Sequence, residues 1–309
     1  MDTDQTDNKQ AKASTLLKNI ETLGKRFRKE HLGSWDPNKL ESDWFNALCF
    51  LLERNFMRGR RDEISNVFLW FAIDRLQYHL RPSDDLVVAF RTLMEHHASG
   101  HLDSSRILDF KKRQGMKGTA NSITHKDFDE EVAAANPIVK LLTTECEVTV
   151  NWPHQFRKNT RLSNEKDLMM VLDTLHLVCQ PGCQNVYVYL LQQIKAGRTK
   201  TAYKTLDDLH AVGDKLASMT LRDICMMQPG VVLDDVSDVF PIDTWVKQTA
   251  KLLGCEAKSD SEIKAFFRKR CSECGVDIML FAAGMWYLGA NALAILVNDF
   301  IGTYEIPAG

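Results

Sequence analysis

The chain lacks a charge excess of either sign: 39 Lys and Arg stand against 41 Asp and Glu, a formal net charge of -2. That balance excludes a protein that coats nucleic acid indiscriminately, so any such contact has to come from local basic patches. No secretory leader is expected either, because Met1 to Lys18 is polar and no apolar stretch follows its first charges. The eight cysteines then read as thiols of a reducing compartment, mostly buried, and the expected location is cytoplasmic, on the nucleoid, or nuclear in a eukaryote. Internal repeats are absent. One apolar run reaches bilayer length, the twenty residues Ile278 to Val297, with Asn291 as its one strongly polar member. Its downstream flank holds Asp299 and Glu305 but no Lys or Arg, and small residues crowd it: Ala282, Ala283, Gly284, Gly289, Ala290 and Ala292. A helix buried in protein fits better than a membrane span.

What is present is helical periodicity. A 44% apolar fraction over 309 residues is enough for one large or two modest domains. Residues 1–18 are polar and expected to be disordered. From Leu40 to Arg81, Trp44, Leu48, Leu51, Leu52, Val67, Phe68, Phe71, Ile73 and Leu76 mark an apolar helix face, interrupted at Met57–Asp62. Pro82 ends that run, and Leu86 to His97 reads as another helix. Residues 99–135 turn polar, with Lys111, Lys112, Arg113 and Lys117 clustered. This sets an expected boundary between an N-terminal helical region, 1–135, and a C-terminal unit, 136–309. Glu147–Trp152 alternates as a strand does and closes at Pro153. Helices then follow at Lys166–Leu177, Asn185–Ala196, Thr205–Leu209, Lys215–Met227, Asp243–Leu253, Asp260–Cys274 and along the apolar C-terminal run. The fold class is all-α.

The most informative stretch is Leu209-His210-Ala211-Val212-Gly213-Asp214-Lys215-Leu216-Ala217. Two helices flank a tight turn in which Gly213 is free to take a positive φ. Such a turn aims consecutive backbone N–H groups outward at a helix N-terminus, which favours a phosphate. Contacts of that kind position a protein on DNA without reading its sequence. Downstream, Phe240-Pro241-Ile242-Asp243-Thr244-Trp245-Val246 sets an aspartate at a helix start.

These two segments resemble the landmarks of the helix–hairpin–helix (HhH-GPD) DNA glycosylase superfamily, which includes the endonuclease III and 8-oxoguanine glycosylase families. Their hairpin reads Leu-Pro-Gly-Val-Gly-x-Lys-x-Ala. Leu209, Val212, Gly213, Lys215 and Ala217 match it, while His210 and Ala211 replace the Pro and the first Gly. The run from Lys215 to Ile224 is similar to that of archaeal-type 8-oxoguanine glycosylases. The resemblance covers about Asp173 to Leu253 and, loosely, the helix around Trp286. It implies a bundle in two helical lobes with an added N-terminal helical region, acting as a monomer on double-stranded DNA that carries a modified base, with no membrane partner and no cofactor.

By that resemblance Lys215 and Asp243 are the catalytic pair. The lysine amine attacks C1′, expels the base and leaves a Schiff base that permits strand cleavage; an amine attacks only as the free base, which burial or a nearby positive helix end favours. The carboxylate faces the sugar as positive charge develops and orients the amine. His210, Ala211, Val212, Gly213, Asp214 and Lys204 are the expected DNA contacts. Gln180, in Leu177-Val178-Cys179-Gln180, and Asn185 are candidates for the wedge that fills the gap left by an extruded base. Trp286 is a candidate base-pocket aromatic, with Tyr287 beside it.

Each residue also has a plainer reading: a solvated lysine, an ordinary N-cap, a helix-terminal Gln, core aromatics. Departures from the pattern are visible as well. Lys215 and Asp243 lie 28 positions apart, with an insertion at Gln228–Val239, and Asp214 puts negative charge at the hairpin. Cys271 and Cys274 form a lone C-x-x-C after Cys255, with Cys179 and Cys183 far upstream. No four-ligand spacing results, so neither a zinc nor an iron–sulfur site is expected. Lys195, Arg198, Lys200 and Lys204 form one basic cluster; Lys264, Arg268, Lys269 and Arg270 form another. The leading expectation is a glycosylase with lyase activity on an oxidised purine such as 8-oxoguanine. Alternatives are a monofunctional glycosylase for another lesion, or a non-catalytic DNA-binding module whose N-terminal part, with Arg54, Arg58, Arg60 and Arg61, dominates function.

Overall fold

The computed structural model describes residues 3–57, 62–80, 88, 137–151, 155–228, 230, 231, 233 and 235–303. The expected helix at 86–97 (Val88 apart), the Lys111–Lys117 cluster, the boundary at 135/136 and Arg58, Arg60 and Arg61 lie outside them. In chain order the helices are α1 (Thr3–Phe27), a π turn (Arg28–Leu32), α2 (Pro37–Ser42), α3 (Trp44–Phe56), α4 (Asp62–Leu80) and α5 (Pro137–Thr143). A hairpin of β1 (Cys146–Val150) and β2 (Phe156–Thr160) follows, then α6 (Glu165–Val178), α7 (Val186–Lys195), α8 (Thr199–Asp207) and α9 (Asp214–Met227). A short 3-10 turn (Ser237–Val239) precedes α10 (Thr244–Leu252), α11 (Asp260–Cys274) and α12 (Ile278–Thr303). The described residues are therefore predominantly helical with one small β-hairpin. It divides into two compact units, Met1–Pro37 with Ile194–Tyr203 and Ala217–Gly309, and Asn38–Gln193 with Lys204–Leu216.

In the first unit the N-terminus is helical from Thr3 rather than disordered as expected. The reason is its packing: Leu17 and Ile20 are buried in a core with Phe240, Ile242, Val246, Phe267, Phe281 and Met285. Polarity of residues 1–18 hid that apolar face, which starts only near their end. Helix α1 lies so close to α12 that a Cβ on Gly24 would overlap the Leu280 carbonyl, and one on Gly284 would overlap that of Ile20. The small residues of the apolar run thus serve backbone contact. Its one strongly polar member, Asn291, departs from helical geometry (φ -117, ψ 16) and donates from Nδ2 to the Tyr287 carbonyl at 3.0 Å. Among the described residues no helix is long and apolar enough to cross a membrane.

In the second unit, local caps set the helix starts. Asp43 accepts from the Phe45 and Asn46 amides ahead of α3, and Asn164 accepts from Lys166 ahead of α6. The expected break after α3 falls at Met57, where that helix ends. The expected strand is found, one residue earlier than its alternation suggested, pairing antiparallel with Phe156–Thr160 in the register Cys146↔Thr160 and Val150↔Phe156. Val148 and Val150 point into the core and α4 covers the hairpin. Helices α3 and α6 pack together, and Asn55 Nδ2 donates to Thr174 Oγ1 at 3.2 Å between them.

Candidate functional site

Helix α8 starts at Thr199, earlier than the apolar pattern suggested, and ends at Asp207; the turn 208–213 leads into α9. The Val212 amide donates to the Leu209 carbonyl at 3.1 Å, which closes a four-residue turn. Its third residue, Ala211, has φ 60 and is the one non-glycine among the described residues with positive φ. Gly213, expected to take that conformation, does not. The turn ends at Val212, so the left-handed position falls at Ala211, as in a type II turn. This is where the hairpin pattern carries its first glycine. Leu209 and Val212 are buried and root the turn, while Gly213 is exposed and a Cβ there would meet nothing within 4 Å.

The hairpin is held from behind by a residue the sequence reading missed. Asp173, on α6 and only 8% exposed, accepts the His210 amide on Oδ2 at 2.9 Å. The signal was present: a carboxylate directly after the apolar run Met169-Met170-Val171-Leu172, on the same helix, must find a donor. Its partner lies 37 positions away, which no local pattern reveals.

Lys215 is half-buried in the first turn of α9, and within its unit its ammonium has no ion-pair partner among the described residues. Lys204 is exposed on α8. Asp214 is half-buried beside Gly213. Asp243 belongs to the first unit, so the catalytic pair of the sequence reading comes from both units. There it caps α10: Oδ1 accepts the Val246 amide at 2.9 Å, and Oδ2 makes no hydrogen bond among the described residues. Buried Pro241 and Ile242 anchor it from one side. Next to it Trp245 stays 44% exposed, its indole lying where a Cβ on Gly289 would be.

The two wedge candidates are engaged locally. Gln180 follows α6, and its Nε2 lies 2.9 Å from His176 Nε2 and 3.3 Å from the His176 carbonyl. Asn185 caps α7 by accepting the Val188 amide at 3.0 Å, while its Nδ2 donates to the carbonyls of Leu40 at 2.8 Å and Glu41 at 3.1 Å.

Trp286 is half-buried in an aromatic group of the first unit. Its ring meets Phe27 and His31 edge-on, each at 5.4 Å, and His31 stacks on Phe27 at 5.1 Å. Arg222 sits over the other ring of that stack, 5.1 Å from the Phe27 centroid. It is fully buried on α9, with Nε and Nη2 donating to Asp223 Oδ1 at 2.9 and 2.7 Å. Its Nη1 and the buried Ser218 Oγ have no hydrogen-bond partner among the described residues. Tyr287 donates to Glu30 Oε2 at 2.6 Å. Phe27 and His31 were invisible to motif reading because they come from the far N-terminus.

The second basic cluster is satisfied within its unit. Lys264 donates to the Ser237 carbonyl at 2.8 Å, Arg268 pairs with Asp235 at 3.6 Å, and Lys269 and Arg270 reach Glu273 at 3.9 and 3.4 Å. Lys195, Arg198 and Lys200 are exposed. The eight cysteines are free. Burial pushes the Cys225 and Cys271 thiols up to about 12, helped by Asp223 in the first case and by Cys274, Asp277 and Glu21 in the second. Neither is a nucleophile at neutral pH. Among the described residues no three His, Cys, Asp or Glu side chains converge as metal ligands. No family model, curated protein or solved structure matches this chain.

Proposed function

We propose that this chain is a DNA glycosylase with lyase activity, in which Lys215 is the nucleophile and Asp243 its acidic partner. The observation that carries the reading is Ala211. An alanine held at φ 60, at the position where the helix–hairpin–helix pattern has glycine, is what a hairpin of that family requires and what an arbitrary helix connection does not. Asp243 supports it: a carboxylate capping α10 through one oxygen keeps the other for a ligand.

In the proposed reaction the neutral Lys215 amine attacks C1′ of the damaged nucleotide. The C1′–N bond breaks, and the base leaves with its electron pair and takes up a proton. Asp243 stabilises positive charge at the sugar as the bond opens. Ring opening gives the iminium, and loss of a C2′ proton expels the 3′ phosphate by β-elimination. An oxidised purine such as 8-oxoguanine is the first substrate to offer, because the run after the hairpin is most similar to enzymes of that specificity. The substrate is double-stranded and the hairpin amides take its phosphates.

Borohydride trapping tests this directly. With 8-oxoguanine duplex the wild type is expected to form a covalent adduct, and Lys215→Ala to form none. Base release that survives in Lys215→Gln without strand cleavage would instead mark monofunctional chemistry. No adduct and no base release across a panel of modified-base duplexes would leave only a binding module.

A further inference from the structure

We propose that Asp173 is the positioning residue of the hairpin: its carboxylate anchors the turn that contains the left-handed Ala211 and in which the chain can grip a phosphate. The second half of that statement rests on the base-excision reading; the first half does not. Asp173 is buried on α6, where its chain neighbours Met170, Val171, Leu172 and Leu175 are all at most 6% exposed. A carboxylate in such surroundings is costly unless a donor reaches it, and the donor is the His210 amide at 2.9 Å. That amide belongs to the residue just before Ala211. That amide and the Leu209 carbonyl are the two ends of one peptide group, so the carboxylate fixes the plane whose carbonyl accepts the Val212 amide and closes the turn around Ala211. Two further restraints act on the same residue from either side: buried Leu209 and Val212, and the bond from the Val212 amide to the Leu209 carbonyl. Glycine would take this conformation without strain and would need no such lock. With alanine there, the lock and the strain belong together.

The coupling between the two positions separates this role from a general contribution to stability. Hydrogen exchange of residues 206–213 and affinity for 8-oxoguanine and undamaged duplexes over a salt series would be measured on the full chain. Asp173→Ala is expected to speed exchange at His210 to Val212 and to weaken duplex binding, each by about tenfold, the loss of one charge-assisted bond. Asp173→Asn keeps an acceptor oxygen and should stay within about threefold of wild type. Adding Ala211→Gly to Asp173→Ala should recover most of the lost affinity, because the conformation then carries no strain. Unchanged exchange in Asp173→Ala overturns the proposal. So does an opened turn that leaves affinity unaltered for a duplex the wild type binds. Should Asp173→Ala fail to fold, Ala211→Val tests the anchored turn from the other side: a β-branched residue resists φ 60, so exchange at Val212, whose amide closes the turn, must rise, and no rise overturns the proposal. A wild type that binds no duplex sinks the base-excision reading, while exchange still decides whether Asp173 holds the turn.

Discussion

Two places in this molecule hold backbone in arrangements their surroundings dictate, and they do so by opposite means. Between α1 and α12 there is no room: Gly24 and Gly284 leave out the Cβ so that two helix backbones touch. In the 208–213 turn there is room to spare, and a Cβ on Gly213 would stand in open space. What is constrained there is geometry, with Ala211 kept at φ 60. The first region is limited by volume and the second by conformation. A surface that must accept an outside ligand has to be of the second kind, since close packing leaves nothing exposed to bind with.

The comparison predicts that added atoms destroy one region and spare the other. Gly284→Val should cost about 3 kcal/mol or more, because the clash is with a carbonyl rather than with a side chain that can turn away. The urea midpoint of unfolding measures it, and a midpoint within error of wild type would refute the tight contact. Asp243→Asn comes next. It keeps the oxygen that caps α10, so stability should hold, while single-turnover base release should fall by about 100-fold if the charge stabilises the sugar cation. Equal rates would remove Asp243 from the chemistry.

Gly213→Ala is the mirror of the Gly284 change. With nothing within 4 Å of the added Cβ and no positive φ at that position, unfolding free energy should move by less than about 0.5 kcal/mol. Duplex affinity should nevertheless fall about fivefold under the proposed function, which puts phosphate against the backbone at the place of that methyl group. Anisotropy titration against undamaged duplex reads this. An unaltered affinity would mean that the exposed face of the turn is not where DNA lies.

The residues that were legible in sequence share one property: their structural meaning is local. Periodicity located α4, α6, α7 and α9 to within a residue or two, since an apolar face repeats on the helix itself, whereas the start set at Leu40 ran α2 and α3 together. The cap at Asp243 and the turn between α8 and α9 were equally visible, because both are built from neighbours in the chain. Long-range partners were not. Asp173 meets His210 across 37 positions, and Asn185 spends its amide on carbonyls 145 and 144 positions away. The helix of residues 3–27 was missed for the same reason: its polar composition resembles disorder until α12 supplies the face it buries. Even within the hairpin, assigning the positive φ to the glycine followed residue preference. The turn's hydrogen bond places it at the alanine.

The smallest expected effect also concerns α1 and α12, and it separates a polar clasp from the packing beneath it. Tyr287 on α12 donates to Glu30, in the π turn that continues α1, at 2.6 Å. That hydrogen bond, then burial, then the Glu30 charge hold the phenol above its ordinary value, against a smaller opposing pull from Arg26. A folded-state value raised in this way means the contribution is complete below the unfolded value of about 10 and is lost as pH rises through the higher folded one. Glu30 is exposed, so solvent screens the pair and the gain at neutral pH should be no more than about 1 kcal/mol. Wild type and Tyr287→Phe should therefore differ slightly in denaturant midpoint at pH 7 and converge as the pH climbs past 10. A gap that stays constant through that range would assign Tyr287 to packing alone, and the contact between the two helices would then rest on its glycines and on the apolar side chains buried around them.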